Sequence, residues 1–164
     1  MSFDVPFVLR EATAADVSAI HGMILELAEF EQLTHMVVAT EADLHQHLCG
    51  EKSHIYAKVV EEAGDVVAFA LYFRNYSTFA GRAGLYLEDL YVKPAARGRG
   101  YAKALLKALA AEAVERGFAR FEWSVLDWNQ NAIDMYEAMG AMVMPEWRIC
   151  RVTGDALTKL AATA

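Results

Sequence analysis

Val92-Lys93-Pro94-Ala95-Ala96-Arg97-Gly98-Arg99-Gly100-Tyr101-Ala102 is the stretch that decides how this chain folds. Before it, Leu85 to Val92 reads as a β-strand, which Pro94 stops. After it, apolar residues at Ala102, Leu105, Leu106, Leu109, Ala113 and Val114 recur with a helical period until Gly117. A strand that turns through glycines into a helix leaves the first N–H groups of that helix without partners and pointing outward. Those amides and the helix dipole make an anion site, suited to a phosphate or diphosphate. Charge agrees with this. Leu90 to Ala111 contains no Asp or Glu, yet holds Lys93, Arg97, Arg99, Lys103 and Lys107. Arg99, Lys103 and Lys107 lie four apart, the spacing of one helix face. The stretch has neither the GxxxxGK[ST] pattern of a P-loop nor the GxGxxG spacing of a dinucleotide fold.

Working outward, Thr13-Ala14-Ala15-Asp16 reads as the start of a helix whose apolar face is Val17, Ile20, Ile24 and Leu27. Thr40-Glu41-Ala42-Asp43 opens a shorter helix ending near Gly50. Ile55 to Val60 and Val66 to Phe73 are β-rich runs joined by Glu62-Ala63-Gly64-Asp65, a hairpin, and Arg74 to Gly84 reads as a loop. Downstream, Phe118 to Leu126 alternates as a strand, Asn131 to Met139 forms a helix closed by Gly140, and Trp147 to Val152 forms a last strand. The order implies an α/β (α+β) fold with helices on both faces of a mixed sheet.

The chain has 164 residues, the size of one domain, read as 1–164. Its acids outnumber its bases by 22 to 15, which argues against a nucleic-acid partner. The basic segment accounts for +5 of a net −7, so the rest of the chain carries −12. Cys49 and Cys150 have no CxxC partner and read as two buried thiols of a reducing compartment. His45 and His47 are two apart on a helix and face different ways, so no metal site is expected. The N-terminus lacks a signal pattern and Val66 to Phe73 is too short to span a membrane, which points to a cytoplasmic protein with no membrane partner.

Arg97-Gly98-Arg99-Gly100-Tyr101-Ala102 resembles the (Q/R)-x-x-G-x-(G/A) acetyl-CoA signature of the GNAT N-acetyltransferases. The chain is similar in particular to the spermidine/spermine branch, which includes diamine and thialysine enzymes. The shared stretches are 10–16, 85–92, the turn itself, Trp128-Asn129 through Tyr136 to Gly140-Ala141, and Trp147-Arg148. The resemblance implies a GNAT fold and acetyl transfer from acetyl-CoA to a primary amine of a small cationic molecule, without a metal. A polyamine, a diamine and a thialysine-like amino acid all remain open. Where the polyamine enzymes carry an acid and a tryptophan, this chain has Asn75-Tyr76-Ser77-Thr78-Phe79-Ala80-Gly81-Arg82, with a cation and no acid. Acetylation of a protein lysine or N-terminus, or a non-catalytic acyl-CoA sensor on the same fold, are the alternatives.

The chemistry sets two proton problems. An alkyl ammonium with a pKa of about 10.4 must lose a proton before it attacks, and the departing sulfur must leave as thiolate or gain one. Strict alternation places Glu88 with Tyr86, Leu90 and Val92, and Asp89 with Leu87 and Tyr91. Glu88, a carboxylate on an otherwise apolar face, is the candidate base, a role Asp89 could share. By resemblance Tyr136 is the candidate acid. Also by resemblance, Leu90, Tyr91 and Val92 pair with the pantetheine arm, and Leu90 or a neighbour donates its N–H to the thioester carbonyl. Arg97, Gly98, Arg99, Gly100, Tyr101, Ala102 and Lys103 hold the diphosphate, with Asn129 and Asn131 on the other lip. Glu31, Asp89, Glu122, Glu146 and Trp147 are the expected contacts to the cationic substrate. Relatives of this kind are commonly homodimers, which Trp147, Ile149 and Val152 would suit.

Overall fold

The computed structural model of the chain describes residues 5–163. Five strands form one sheet in sequence order: β1 (Phe7–Glu11), β2 (Tyr56–Glu62), β3 (Asp65–Ser77), β4 (Arg82–Val92) and β5 (Phe121–Trp123). Neighbours are antiparallel except β4 and β5, which run parallel because helix α3 (Tyr101–Glu115) carries the chain back across the sheet. Helices α1 (Val17–Phe30) and α2 (Glu41–Cys49) precede β2, and α4 (Gln130–Ala138) and α5 (Gly154–Ala162) follow β5. This is the mixed, mostly antiparallel α/β architecture expected from the sequence. The chain divides after Ser124 into two compact units, the first holding the sheet with α1 to α3 and the second holding α4 and α5.

Residues paired across strands share a face, so the register assigns each side of the sheet. Ala57, Val59, Phe69, Leu71 and Tyr91 face α1 and α2, where they close a core with Val17, Ile20, Met23 and Leu44. The other face meets α3. There Lys58 and Tyr72 both reach the Glu112 carboxylate, at 3.1 and 2.9 Å. Val60, Ala68, Ala70, Leu85 and Leu87 are buried on that side, as are Leu105, Leu106, Leu109 and Ala113 of α3. Val114, expected on the apolar stripe, is instead 80% exposed.

The feature that decides which way the side chains of β4 face is a bulge. Leu71 pairs with Asp89 and Tyr72 with Leu87, which leaves Glu88 as an extra residue on β4. An inserted residue reverses the alternation beyond it. Tyr86, Asp89 and Tyr91 therefore lie on the α1 face, and Leu85, Leu87, Leu90 and Val92 on the α3 face. The grouping of Glu88 with Tyr86, and of Asp89 with Leu87, is thus corrected. Glu88 sits on the bulge itself and is exposed, not part of an apolar face.

Local chemistry sets most of the remaining boundaries. Thr13 and Asp16 bond reciprocally around a 3-10 turn at Ala14–Asp16, so Thr13 caps that turn and α1 begins one residue later. Thr40 and Asp43 form a full capping box on α2. The polar residues after Phe73 stay in β3 because Arg74 lies over the rings of Tyr56 and Phe118, at 6.0 and 5.7 Å. The expected loop Arg74 to Gly84 shrinks to residues 78–81. β5 is shorter than the expected Phe118 to Leu126 at both ends: Phe118 gives its N–H to Ala113 C=O in the helix-ending turn, and the strand stops at Trp123. Trp147 to Val152 forms no strand; it is irregular chain, preceded by a turn in which Trp147 N–H meets Met144 C=O at 3.4 Å. Helix α5 was not anticipated. Cys49 and Cys150 are exposed, not buried. Among the described residues no helix is long and apolar enough to cross a membrane.

Candidate active site

The turn after β4 is built by its backbone. Lys93 N–H returns to Val67 C=O at 2.9 Å, and Pro94–Ala96 makes a single 3-10 turn. Arg97 is extended there, its Nε bonds Val92 C=O at 3.1 Å, and its guanidinium lies over the rings of Tyr91 and Phe30. Gly98 and Gly100 follow with φ of +79° and +82°, a region L-residues adopt only at a cost. Gly100 is the N-cap of α3 and supplies no side-chain cap. A Cβ on either glycine would meet nothing within 4 Å, so the space before the turn is open. Open amides at the head of a 15-residue helix, with no acidic side chain in its first turn, fit a diphosphate well.

Not every expected cation faces that space. Arg99 precedes α3 and pairs with Glu62 at the end of β2, so Arg99, Lys103 and Lys107 do not form one helical stripe. Tyr101 is 2% exposed and gives its hydroxyl to the same carboxylate. Those hydrogen bonds, the one from Arg99 foremost, hold the Glu62 carboxyl below its usual range. Ala102 is half-buried and Lys103 is exposed. Glu62 is a site neighbour that sequence reasoning missed; a glutamate 37 residues from Arg99 carries no local signal.

β5 pairs with β4 only at Leu85–Leu87. Leu85 N–H bonds Arg120 C=O and Ala83 C=O accepts from Ala119, whereas past the bulge Lys93 N–H points back to β3. By alternation, Leu90 and Val92 direct their backbone groups away from β3, beyond the end of the β5 pairing. Arg97 occupies Val92 C=O. Leu90 N–H and C=O lie on an edge to which an extended amide chain can add as a strand would. Tyr91, by contrast, is buried on the α1 face.

Three carboxylates gather near the bulge on the α1 side. Burial above all, with the charges of Glu88 and Glu31, pushes the Asp89 carboxyl up to about 6. Glu31, the C-cap of α1, is itself raised by burial. The rings of Phe73 and Tyr86 pack at 5.2 Å on the same face as Asp89. Phe73 was overlooked because the bulge decides which face it shares. Glu122 does not join this group. It is already met by Arg120 Nε at 2.6 Å and Asn75 Nδ2 at 3.3 Å.

The other expected residues belong to the second unit. Asn129 caps α4 by accepting from Ala132 N–H at 3.4 Å, and Asn131 is exposed on the first turn. Tyr136 is half-buried on α4, and its carbonyl accepts the Ala141 N–H at 3.0 Å. Glu146 and Trp147 are exposed on irregular chain.

The Acetyltransferase (GNAT) family matches residues 22–141. An L-ornithine N5-acetyltransferase of Arabidopsis thaliana is 37% identical over 91% of this chain and 85% of its own length. A thialysine N-epsilon-acetyltransferase of Mus musculus is 38% identical over 93% of this chain and 96% of its own. Among solved structures, an integron cassette protein from V. cholerae has a TM-score of 0.80 at 26% identity, covering 96% of this chain and 98% of that one. The family match spans the glycine turn, the bulged strand and α4, and relatives aligned nearly end to end acetylate nitrogen. This chain belongs to the GNAT family and is an N-acetyltransferase.

Proposed function

We propose that the protein moves an acetyl group from acetyl-CoA to the distal primary amine of a small cationic molecule, by direct attack within a ternary complex. The observation that carries this reading is the uncapped, glycine-opened head of α3 at the end of a strand whose pairing with β5 stops at Leu87. The turn amides from Gly98 to Lys103 bind the diphosphate, and Leu90 pairs with the pantetheine amides. Leu90 N–H is then placed to stabilise the oxygen of the thioester carbonyl as negative charge builds on it.

Glu31, Glu88 and Asp89 receive the amine. An ammonium entering among them is attracted as a cation and can lose a proton, through water, to a carboxylate. Asp89, pushed up to about 6, is ionised at neutral pH and remains basic enough to take that proton. The neutral nitrogen forms its bond to the acyl carbon, the carbon–sulfur bond breaks, and the sulfur leaves with a proton from Tyr136, a role resting on the resemblance of residues 128–141. The wall of Phe73 and Tyr86 suits the alkyl chain of an amino acid such as ornithine or thialysine, on which the named relatives act.

Calorimetry with CoA and thiol release from acetyl-CoA, across ornithine, thialysine, diamines, polyamines and lysine peptides, test the reading. Binding with turnover on the amino acids or diamines supports it; absence of CoA binding overturns it, and turnover on peptides alone overturns the substrate class. Tyr136→Phe should lower kcat by roughly 10²-fold, with CoA affinity unchanged, if the hydroxyl supplies the sulfur's proton.

A further inference from the structure

We propose that Glu62 is a positioning residue for the anion-binding turn. Its two carboxylate oxygens take Arg99 and Tyr101, the residues on either side of Gly100, and fix the shape in which the turn presents its amides. The inference rests on the reading that this turn receives the diphosphate of CoA.

Glu62 is itself held firmly. It pairs with Phe7 on β1 and with Asp65 on β3, and its side chain is only 15% exposed. The ring of Phe7 packs on Tyr101 at 4.9 Å, so the same sheet corner grips the first residue of α3 twice. Alternation along β2 sends the two neighbouring glutamates to opposite faces of the sheet. Glu61 serves Arg10, which bridges to Asp16 before α1, while Glu62 serves the head of α3.

The turn has little else to hold it. Neither glycine carries a side chain, no side-chain cap closes α3, and the Arg97 contacts lie upstream of Gly98. Arg99 and Tyr101 are the two side chains that flank the left-handed glycine, and both end on one carboxylate. With its charge committed to Glu62, Arg99 acts on the ligand through the shape of the turn. A carboxylate near a diphosphate also repels it, and this gives the idea its sharpest test. If Glu62 only adds unfavourable charge, neutralising it tightens CoA binding; if it positions the turn, neutralising it weakens binding.

Glu62→Gln keeps the shape and removes the charge. Its Kd for CoA by calorimetry and its KM for acetyl-CoA should rise about tenfold, as expected for losing hydrogen bonds to a charged group. Saturated kcat and the KM for the amine should not change. Glu62→Asp, which keeps the charge on a shorter arm, should fall between. In the unliganded protein, amide exchange at Ala104, whose N–H bonds Gly100 C=O at the head of α3, should quicken in Glu62→Gln while β3 and β4 keep their rates. Tyr101→Phe should add little on top of Glu62→Gln. Unchanged or tighter CoA binding with unchanged exchange overturns the proposal. If the wild-type protein takes up no CoA, the proposed function fails, and the exchange rates still decide whether Glu62 holds the turn.

Discussion

At the scale of single residues, Asp89 shows how burying a carboxylate strains the fold that carries it. Its carboxyl has an ordinary value of 3.8 and stands near 6 in the folded protein. A folded-state value above the unfolded one means that ionisation costs stability, beginning as pH rises past about 4 and complete above about 6. Asp89→Asn should therefore stabilise the protein at pH 7 by roughly 1–3 kcal/mol, while the gain vanishes below pH 4. Thermal melts of both proteins between pH 4 and 8 check the sign, and a variant no more stable at pH 7 would remove burial and the charges of Glu88 and Glu31 as the cause. The same substitution should abolish any rise in kcat/KM near pH 6, separating a working carboxylate from a merely buried one. Asp16 behaves in the opposite sense. The Arg10 guanidinium bonds it at 2.7 and 2.9 Å and holds its carboxyl below the usual range, so its contribution is present above that range and lost in acid.

At the scale of elements, the β2–β3 hairpin turns through Ala63 and Gly64 with φ of +51° and +87°. This two-residue geometry matches the strand twist, but alanine is poorly suited to its first position. Ala63→Asn should stabilise the protein by about 0.5–1 kcal/mol, raising Tm by roughly 1–4 °C. A melting curve at neutral pH checks it, and a lower Tm would mean that the side chain meets something near Glu62. The hairpin, the Thr40 cap and the glycine turn were all legible in the sequence because each is a local pattern with a local cause. The bulge was not. Whether Glu88 pairs is decided by how many residues β3 places opposite it, and that number is fixed 15 or more residues away. For the same reason, the pair Glu88 and Asp89 could be singled out while the face each takes could not. Trp147 to Val152 misled in another way, since apolar alternation marks a strand only where another strand is there to pair with it.

At the scale of the molecule, the sequence separates its charges. Five cations gather between Leu90 and Ala111, and the remainder of the chain is strongly acidic. One region thus favours an anionic ligand while the rest attracts cations over long range. Raising ionic strength from about 0.02 to 0.3 M should lower kcat/KM for a dicationic amine severalfold, with little change in saturated kcat. A flat profile would mean that contacts inside the site, and not the field of the whole protein, bring the amine in. The fold class and the glycine turn between β4 and α3 could be read from residue order alone; the neutralisation of Arg99 by Glu62 and of Glu122 by Arg120 could not. Pairs of that kind exist only after distant strands have met.

The three-residue contact between β4 and β5 reaches beyond chemistry into handling and storage. Backbone left without a neighbouring strand is a template, and any extended peptide, including another molecule of the same protein, competes for it. With CoA on that edge, as the proposed function has it, ligand supply becomes a solubility variable: protein stripped of CoA should turn cloudy on standing sooner than protein kept saturated with it.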